Sequence, residues 1–114
     1  MKVSKLAPLP VSKTDFSYQA LKFVPAKPGC YALTSYSEDV LYIGLSKNLS
    51  IRIRQHLDNP KKHEVTELGK SYFVHLIILE NENEAYKVER GWLNIHELNE
   101  GKLPPLNSVH SPVS

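Results

Sequence analysis

The sequence predicts one domain of the α/β (α+β) class, a three-stranded antiparallel sheet flanked by helices. Three observations indicate this class. Two short apolar runs flank a polar tetrapeptide, which is typical of a β-hairpin, and a third apolar run follows at residues 72–79. Apolar residues also recur at helical spacing after the hairpin and again after the third run. A chain of 114 residues is long enough for one hydrophobic core and too short for two.

The N-terminal residues 1–27 are predicted to form an extended arm outside the core, with one short helical turn near residues 16–21. This segment is rich in proline and lacks a sustained apolar periodicity. We therefore expect the main domain to span residues 28–108 and a short tail to span residues 109–114.

The hairpin is expected to pair Gly29–Ser35 with Val40–Leu45 through a turn at residues 36–39. Tyr31 and Tyr42 would then lie on neighbouring strands. The run at residues 72–79 is predicted to be the third strand and the most buried of the three.

An amphipathic helix is predicted from Asn48 to about Asp58, where Leu or Ile recurs every four residues. Asn48 is its expected N-cap, and Pro60 ends it. A second, short helix is expected over residues 61–70. The last helix is predicted over residues 83–99, whose apolar residues keep helical spacing.

The charge pattern permits contact with a phosphate backbone but does not require it. The net charge is only +2, yet residues 45–62 carry five cations against one aspartate, and residues 80–100 carry six glutamates. On charge alone, ordinary solvated faces are the simpler interpretation. The cations predicted to contact nucleic acid are Lys47, Arg54, Lys61 and Lys62.

Several functional classes lack support in the sequence. No apolar run approaches the ~20 residues that a membrane span needs, and the N-terminus lacks the apolar stretch of a secretory signal. A cytoplasmic protein without membrane contact is therefore expected. The histidines and the single cysteine lack zinc-ligand spacing, and neither a glycine-rich phosphate loop nor a nucleophile elbow is present.

Two tyrosines and an arginine indicate phosphate chemistry. Phenols such as Tyr31 and Tyr42 can orient a water or relay a proton to it, and a guanidinium such as Arg52 can hold phosphoryl oxygens. Arg52 and His56 flank the apolar stripe of the first helix on one side, where His56 would supply a proton acceptor. The alternative is a boundary arginine and a half-exposed histidine without a catalytic role.

Glu89 intrudes on the apolar face of the last helix, with Ala85, Trp92 and Leu93 three or four residues away. A carboxylate is rarely buried unless it is paired or binds a metal, because desolvating the charge is costly. Mg²⁺ would be a suitable partner for Glu89.

These residues, taken in order, resemble the GIY-YIG nuclease family, and the resemblance spans residues 28–107. The matching elements are Gly29-Cys30-Tyr31, Tyr42-Ile43-Gly44, Lys47-Asn48-Leu49, Arg52, His56, Glu84-Ala85, Glu89 and Pro104-Pro105-Leu106-Asn107.

The resemblance implies a GIY-YIG endonuclease-like fold and an endonuclease that hydrolyses DNA with one divalent ion, Mg²⁺ or Mn²⁺. By position, Tyr31 and Tyr42 would surround the attacking water, and His56 would be a candidate general base. Arg52 would bind the scissile phosphate.

The resemblance also makes Glu89 the metal ligand and Asn107 a residue that braces the site. Three departures from the family pattern stand out. Cys30 replaces an isoleucine, Leu45 replaces a lysine of many relatives, and the spacing from Glu89 to Asn107 implies an insertion at residues 99–103.

Two other functions stay open from the sequence. A nucleic-acid-binding module that keeps the fold but cleaves poorly agrees with Leu45 and with the lack of a recognisable second domain. A small interaction protein would use the N-terminal arm to dock a partner. The sequence does not specify duplex, branched or single-stranded DNA, and a protein partner or homo-oligomer would supply the specificity.

Overall fold

The computed structural model describes residues 1–107 and confirms the α/β class with an antiparallel sheet and flanking helices. The sheet has four strands, not the predicted three, in the order β1-β4-β2-β3 with every neighbouring pair antiparallel. The strands are β1 (Ser12–Asp15), β2 (Gly29–Thr34), β3 (Val40–Ser46) and β4 (Phe73–Ile78). The main helices are α1 (Leu49–Leu57) and α2 (Glu82–Glu100).

The N-terminal segment is part of the folded unit, so the prediction that it lies outside the core is wrong. It supplies the edge strand β1, and Met1, Val3 and Leu6 are buried in the same cluster as Trp92 of α2. The reason is that β1 is a polar strand of four residues and the buried residues before it occur singly, so no periodicity reveals them. The division of the chain at residue 27 stays a prediction, and the predicted tail, 109–114, lies outside the described residues.

The sheet separates two hydrophobic clusters because alternate residues of a strand point to opposite faces. In β2, Tyr31 and Leu33 face α1, whereas Cys30 and Ala32 face α2. β2 and β3 are therefore buried along their whole length, and both ends of β4 are partly exposed. The prediction that residues 72–79 form the most buried strand is wrong, because β4 has the short edge strand as its outer neighbour.

The helix ends follow their local signals. Asn48 caps α1, since its side-chain oxygen accepts from the backbone N–H of Ile51 at 3.2 Å, and Asn81 caps α2 in the same way. α2 ends at Gly101, whose φ of 74° is the left-handed conformation of a C-cap glycine. Both helices confirm the prediction.

The prediction of a short helix over residues 61–70 is wrong in its extent. Only a single turn of 3₁₀ helix forms, at Pro60–His63, and the chain then makes a tight turn in which Thr66 and Gly69 bond each other. Gly69 has a φ of 109°, so it belongs to this turn and does not end a helix. Within residues 1–107, neither helix has the length and apolar character that a membrane span requires.

Candidate active site

A buried tyrosine–histidine pair lies between β2 and α1. The hydroxyl oxygen of Tyr31 is 2.6 Å from Nε2 of His56, and both side chains are buried. Burial lowers the pKa of His56 to about 3, and the charges of Lys62 and Arg52 act in the same direction. The imidazole is therefore neutral at physiological pH and can accept the Tyr31 proton at Nε2. The alternative of a half-exposed His56 is wrong.

Gly44 makes room for this pair. A Cβ at Gly44 would lie 2.5 Å from the Tyr31 hydroxyl oxygen, and Gly44 stands opposite Tyr31 in the β2–β3 register. No side chain fits at position 44, because the Tyr31 ring occupies the space that it would need. The glycine of the Tyr-Ile-Gly sequence is thus explained by the space that the other strand's tyrosine needs.

Tyr42 lies beside this pair and is covered by a lysine. Its ring contacts the His56 ring edge-on, with centroids 5.0 Å apart, and Nζ of Lys62 lies 4.5 Å from its centroid. Burial raises the pKa of Tyr42, and the positive charge of Arg52 opposes that shift. Tyr42 is therefore a neutral phenol whose ring contacts Lys62 and whose hydroxyl is within electrostatic reach of Arg52.

Arg52 lies on α1, half-buried, near enough to affect both phenols. Its positive charge opposes the increase that burial gives to the pKa of Tyr42 and to the pKa of Tyr31. No carboxylate within residues 1–107 forms an ion pair with Arg52. Since no carboxylate neutralises its guanidinium there, Arg52 can attract an anion that approaches the tyrosines.

Glu89 lies on α2, the helix on the sheet face opposite α1. It is only 1% exposed, its Oε1 has no hydrogen-bond partner among the described residues, and burial raises its pKa to about 7. Its charge also raises the pKa of Tyr42, which places the carboxylate within electrostatic reach of the phenol. The apolar neighbourhood predicted for Glu89 is confirmed.

The surroundings of Glu89 fit a hard divalent cation bound by one protein carboxylate. Within residues 1–107, no three His, Cys, Asp or Glu side chains are arranged as a metal cluster. The Cys30 thiol donates to the carbonyl oxygen of Ala85 at 2.8 Å, and burial raises its pKa to about 12, so it is not a thiolate ligand. A buried, unpaired carboxylate oxygen with few other protein ligands suits Mg²⁺, which retains several waters.

Asn107 joins β3 from the C-terminal side. Its side-chain oxygen accepts from the backbone N–H of Ile43 at 2.9 Å, and its amide donates to the Ile43 carbonyl at 3.0 Å. These two bonds hold the strand between Tyr42 and Gly44. The loop that delivers Asn107 is tied to α2, because the His96 ring donates to the Lys102 carbonyl at 2.7 Å.

The four cations predicted to contact nucleic acid occupy different positions. Lys47, Arg54 and Lys61 are exposed, whereas Lys62 is half-buried against Tyr42. Sequence reasoning did not distinguish Lys62 from Lys61, because nothing local indicates which side of the 3₁₀ turn faces the site. Sequence reasoning also did not identify the role of Gly44, although the Tyr-Ile-Gly sequence contains this glycine.

Comparisons with known proteins were made with this geometry in hand. The model of the GIY-YIG catalytic domain matches residues 27–101. UvrABC system protein C from Mycoplasmoides gallisepticum is 34% identical over 80 residues, and the protein of the same name from Clostridium novyi is 38% identical over 78 residues. The matches cover 69% and 66% of this chain but only 14% and 12% of those proteins.

One solved structure gives the same similarity in three dimensions. The GIY-YIG N-terminal endonuclease domain of UvrC from Thermotoga maritima, bound to magnesium as its catalytic divalent cation, superposes with a TM-score of 0.58. The sequences are 26% identical, and the superposition covers 79% of this chain and 93% of that domain.

Proposed function

Because this chain belongs to the GIY-YIG family of endonuclease catalytic domains, we propose that it hydrolyses phosphodiester bonds of DNA with one divalent ion, Mg²⁺ or Mn²⁺. The observation that carries the proposal is the buried, unpaired carboxylate of Glu89 beside Tyr42. Without a bound cation, only the charge of the neighbouring Arg90 partly offsets the cost of desolvating that carboxylate.

The tyrosines and His56 handle the proton of the attacking water. A water hydrogen-bonded to a tyrosine hydroxyl attacks phosphorus, and its proton passes through Tyr31 to Nε2 of His56, which lies 2.6 Å away. The P–O3′ bond breaks as the new P–O bond forms, and the released 3′ oxygen takes a proton from solvent water, which leaves a 5′-phosphate and a 3′-hydroxyl. The approaching phosphate raises the basicity of His56, because its negative charge offsets the positive charges of Lys62 and Arg52.

Two groups hold the scissile phosphate in place. Arg52 binds its non-bridging oxygens, and the Glu89 carboxylate would hold the divalent ion. When bound, that ion supplies charge stabilisation for the departing 3′ oxygen. Asn107 keeps β3 in register, so the tyrosine hydroxyl stays at a fixed position.

A second function, a binding module that cleaves poorly, is favoured by one observation. Leu45 is buried in the cluster that faces α2, so it presents no cation to the site. A protein partner or a second subunit is part of either proposal as the source of specificity.

The two functions are separated by a cleavage panel. Plasmid, single-stranded and branched DNA are incubated in Mg²⁺ with the parent protein, Glu89→Ala and Arg52→Ala, and Glu97→Ala serves as a control on the exposed side of α2. The nuclease proposal expects cleavage by the parent and by Glu97→Ala only. A binding module instead gives no metal-dependent product and retains DNA affinity after Glu89→Ala. Equal cleavage by all four proteins rejects the assignment of Glu89 and Arg52.

A further inference from the structure

Three aromatic rings form an exposed cluster at one end of the sheet. Tyr36, in the β2–β3 hairpin, is 72% exposed, and Tyr72, just before β4, is 45% exposed. Their ring centroids are 5.0 Å apart, and Phe73 contacts Tyr72 at 4.8 Å and Tyr36 at 6.0 Å. Large rings in mutual contact on the surface do not contribute to either hydrophobic cluster of the core.

A cavity of about 340 Å³ connects this cluster with the 3₁₀ turn at Pro60–His63. Tyr72 and His63 both line the cavity, and the His63 ring stacks on Phe16 with centroids 5.2 Å apart. Lys70 lies on its wall with Ser71, whose buried hydroxyl has no hydrogen-bond partner among the described residues.

The cavity and the candidate catalytic residues are linked by two neighbouring residues of the 3₁₀ turn Pro60–His63. His63 lines the cavity, and Lys62, directly before it, covers the ring of Tyr42. Tyr42 pairs with Leu33 of β2, and Leu33 pairs with Val74 of β4, two residues after Tyr72. Tyr42 and Tyr72 are therefore two strand spacings apart across the sheet and two residues apart along it, a distance of roughly 12 Å. At about 3.4 Å per stacked base, this distance spans about three to four bases.

The chemistry of this surface is that of a single-stranded nucleic-acid site. Exposed rings offer stacking faces to bases, and lysines at intervals offer contacts to phosphates. Lys62 and Lys70 supply the cations. Lys13, 4.5 Å from the centroid of Phe73, lines a different cavity with Val3 and His75. Acidic groups are also present, since Glu38 pairs with Lys13 at 3.6 Å and Asp15 lines the same cavity as Lys70. In a duplex the base faces are already stacked on one another, so these rings cannot reach them.

We propose that the surface from Lys62 through the cavity to Tyr72 and Tyr36, the aromatic track, binds unpaired nucleotides next to the scissile phosphate. The inference rests on the proposed nuclease function and adds the substrate class to it. The preferred DNA carries a single-stranded arm at the cleavage point. Tyr72 stacks the base that lies about three to four positions from the scissile bond.

Binding measured on uncleaved DNA tests the track separately from catalysis. The full chain is titrated in EDTA with a duplex that carries a single-stranded arm and with the same duplex without the arm. The arm contains 2-aminopurine, whose fluorescence is quenched on stacking. The variants are Tyr72→Ala, Tyr72→Phe and Tyr36→Ala, and the control is Tyr86→Ala, a 49% exposed tyrosine of α2 outside the track.

The parent and the Tyr86→Ala control are expected to prefer the armed DNA about tenfold and to quench the probe. Tyr72→Ala and Tyr36→Ala lose most of that preference, whereas Tyr72→Phe retains it because the ring is kept. Equal affinity of the parent for both DNAs, or an unchanged preference in Tyr72→Ala, overturns the proposal and leaves the ring cluster to a protein partner. Cleavage of plain duplex by the parent, absent in Glu89→Ala, would keep the nuclease function even then.

Discussion

Replacing Glu89 by glutamine should stabilise the metal-free protein at neutral and alkaline pH. Burial raises the pKa of Glu89 to about 7, above its ordinary value of 4.5. Below pH 4.5 the carboxyl is protonated in both the folded and the unfolded chain. As the pH rises from 4.5 to 7, the unfolded chain ionises first, so folding loses about 1.4 kcal/mol per pH unit, roughly 3 kcal/mol in all.

Thermal unfolding of the parent and Glu89→Gln at pH 5 and pH 8 in EDTA measures this effect. At pH 5 the two melting temperatures should be similar, and at pH 8 the variant should melt up to roughly 10 °C higher. Adding Mg²⁺ at pH 8 should raise the melting temperature of the parent and leave the variant unchanged, because the cation offsets the buried charge. Glu97→Gln, on the exposed side of α2, should behave as the parent does.

The reasoning is refuted if Glu89→Gln melts below the parent at pH 8 in EDTA, or if Mg²⁺ stabilises both proteins equally. The first result would mean that the carboxylate already has a stabilising partner in the protein. The second would place the divalent ion on other residues.

Three further predictions follow from the site. Gly44→Ala should abolish cleavage and lower stability, because its Cβ would overlap the hydroxyl of Tyr31. Gly91→Ala, whose Cβ would have nothing within 4 Å, should instead stabilise α2 by about 1 kcal/mol. Circular dichroism melts measure both changes in stability. Since burial lowers the pKa of His56 to about 3, the neutral ring's contribution to stability is fully present above pH 6.5 and is lost as the pH falls towards 3. Replacing His56 by glutamine should flatten that part of the stability profile, and an unchanged profile would contradict the burial argument. Lys62→Ala should slow cleavage and raise the pKa of His56 measured by NMR, whereas Lys61→Ala should weaken DNA binding slightly and leave that pKa unchanged.

Local signals in the sequence were sufficient for the elements that position the site. The hairpin follows from a polar tetrapeptide between apolar runs, and α1 follows from its four-residue repeat with Asn48 as cap. Glu89 was identifiable because a carboxylate interrupts an apolar helical face, and it is indeed buried. Each signal depends only on residues within a few positions of one another.

The features that sequence reasoning missed depend on contacts between distant segments. The strand Ser12–Asp15 exists only because β4 offers it an edge, and its own residues are polar. Lys62 differs from Lys61 only in the ring that it covers, which belongs to β3. Such pairings are set by tertiary packing, and neither periodicity nor composition contains them.

The most direct test of the one-metal account is the single-turnover cleavage of end-labelled DNA in a Mg²⁺ series by the parent and Glu89→Gln. The account predicts cleavage that saturates with Mg²⁺, leaves 3′-hydroxyl and 5′-phosphate ends, and falls at least about 100-fold in the variant. Cleavage that proceeds in EDTA, or at the parental rate in the folded Glu89→Gln protein, would contradict it.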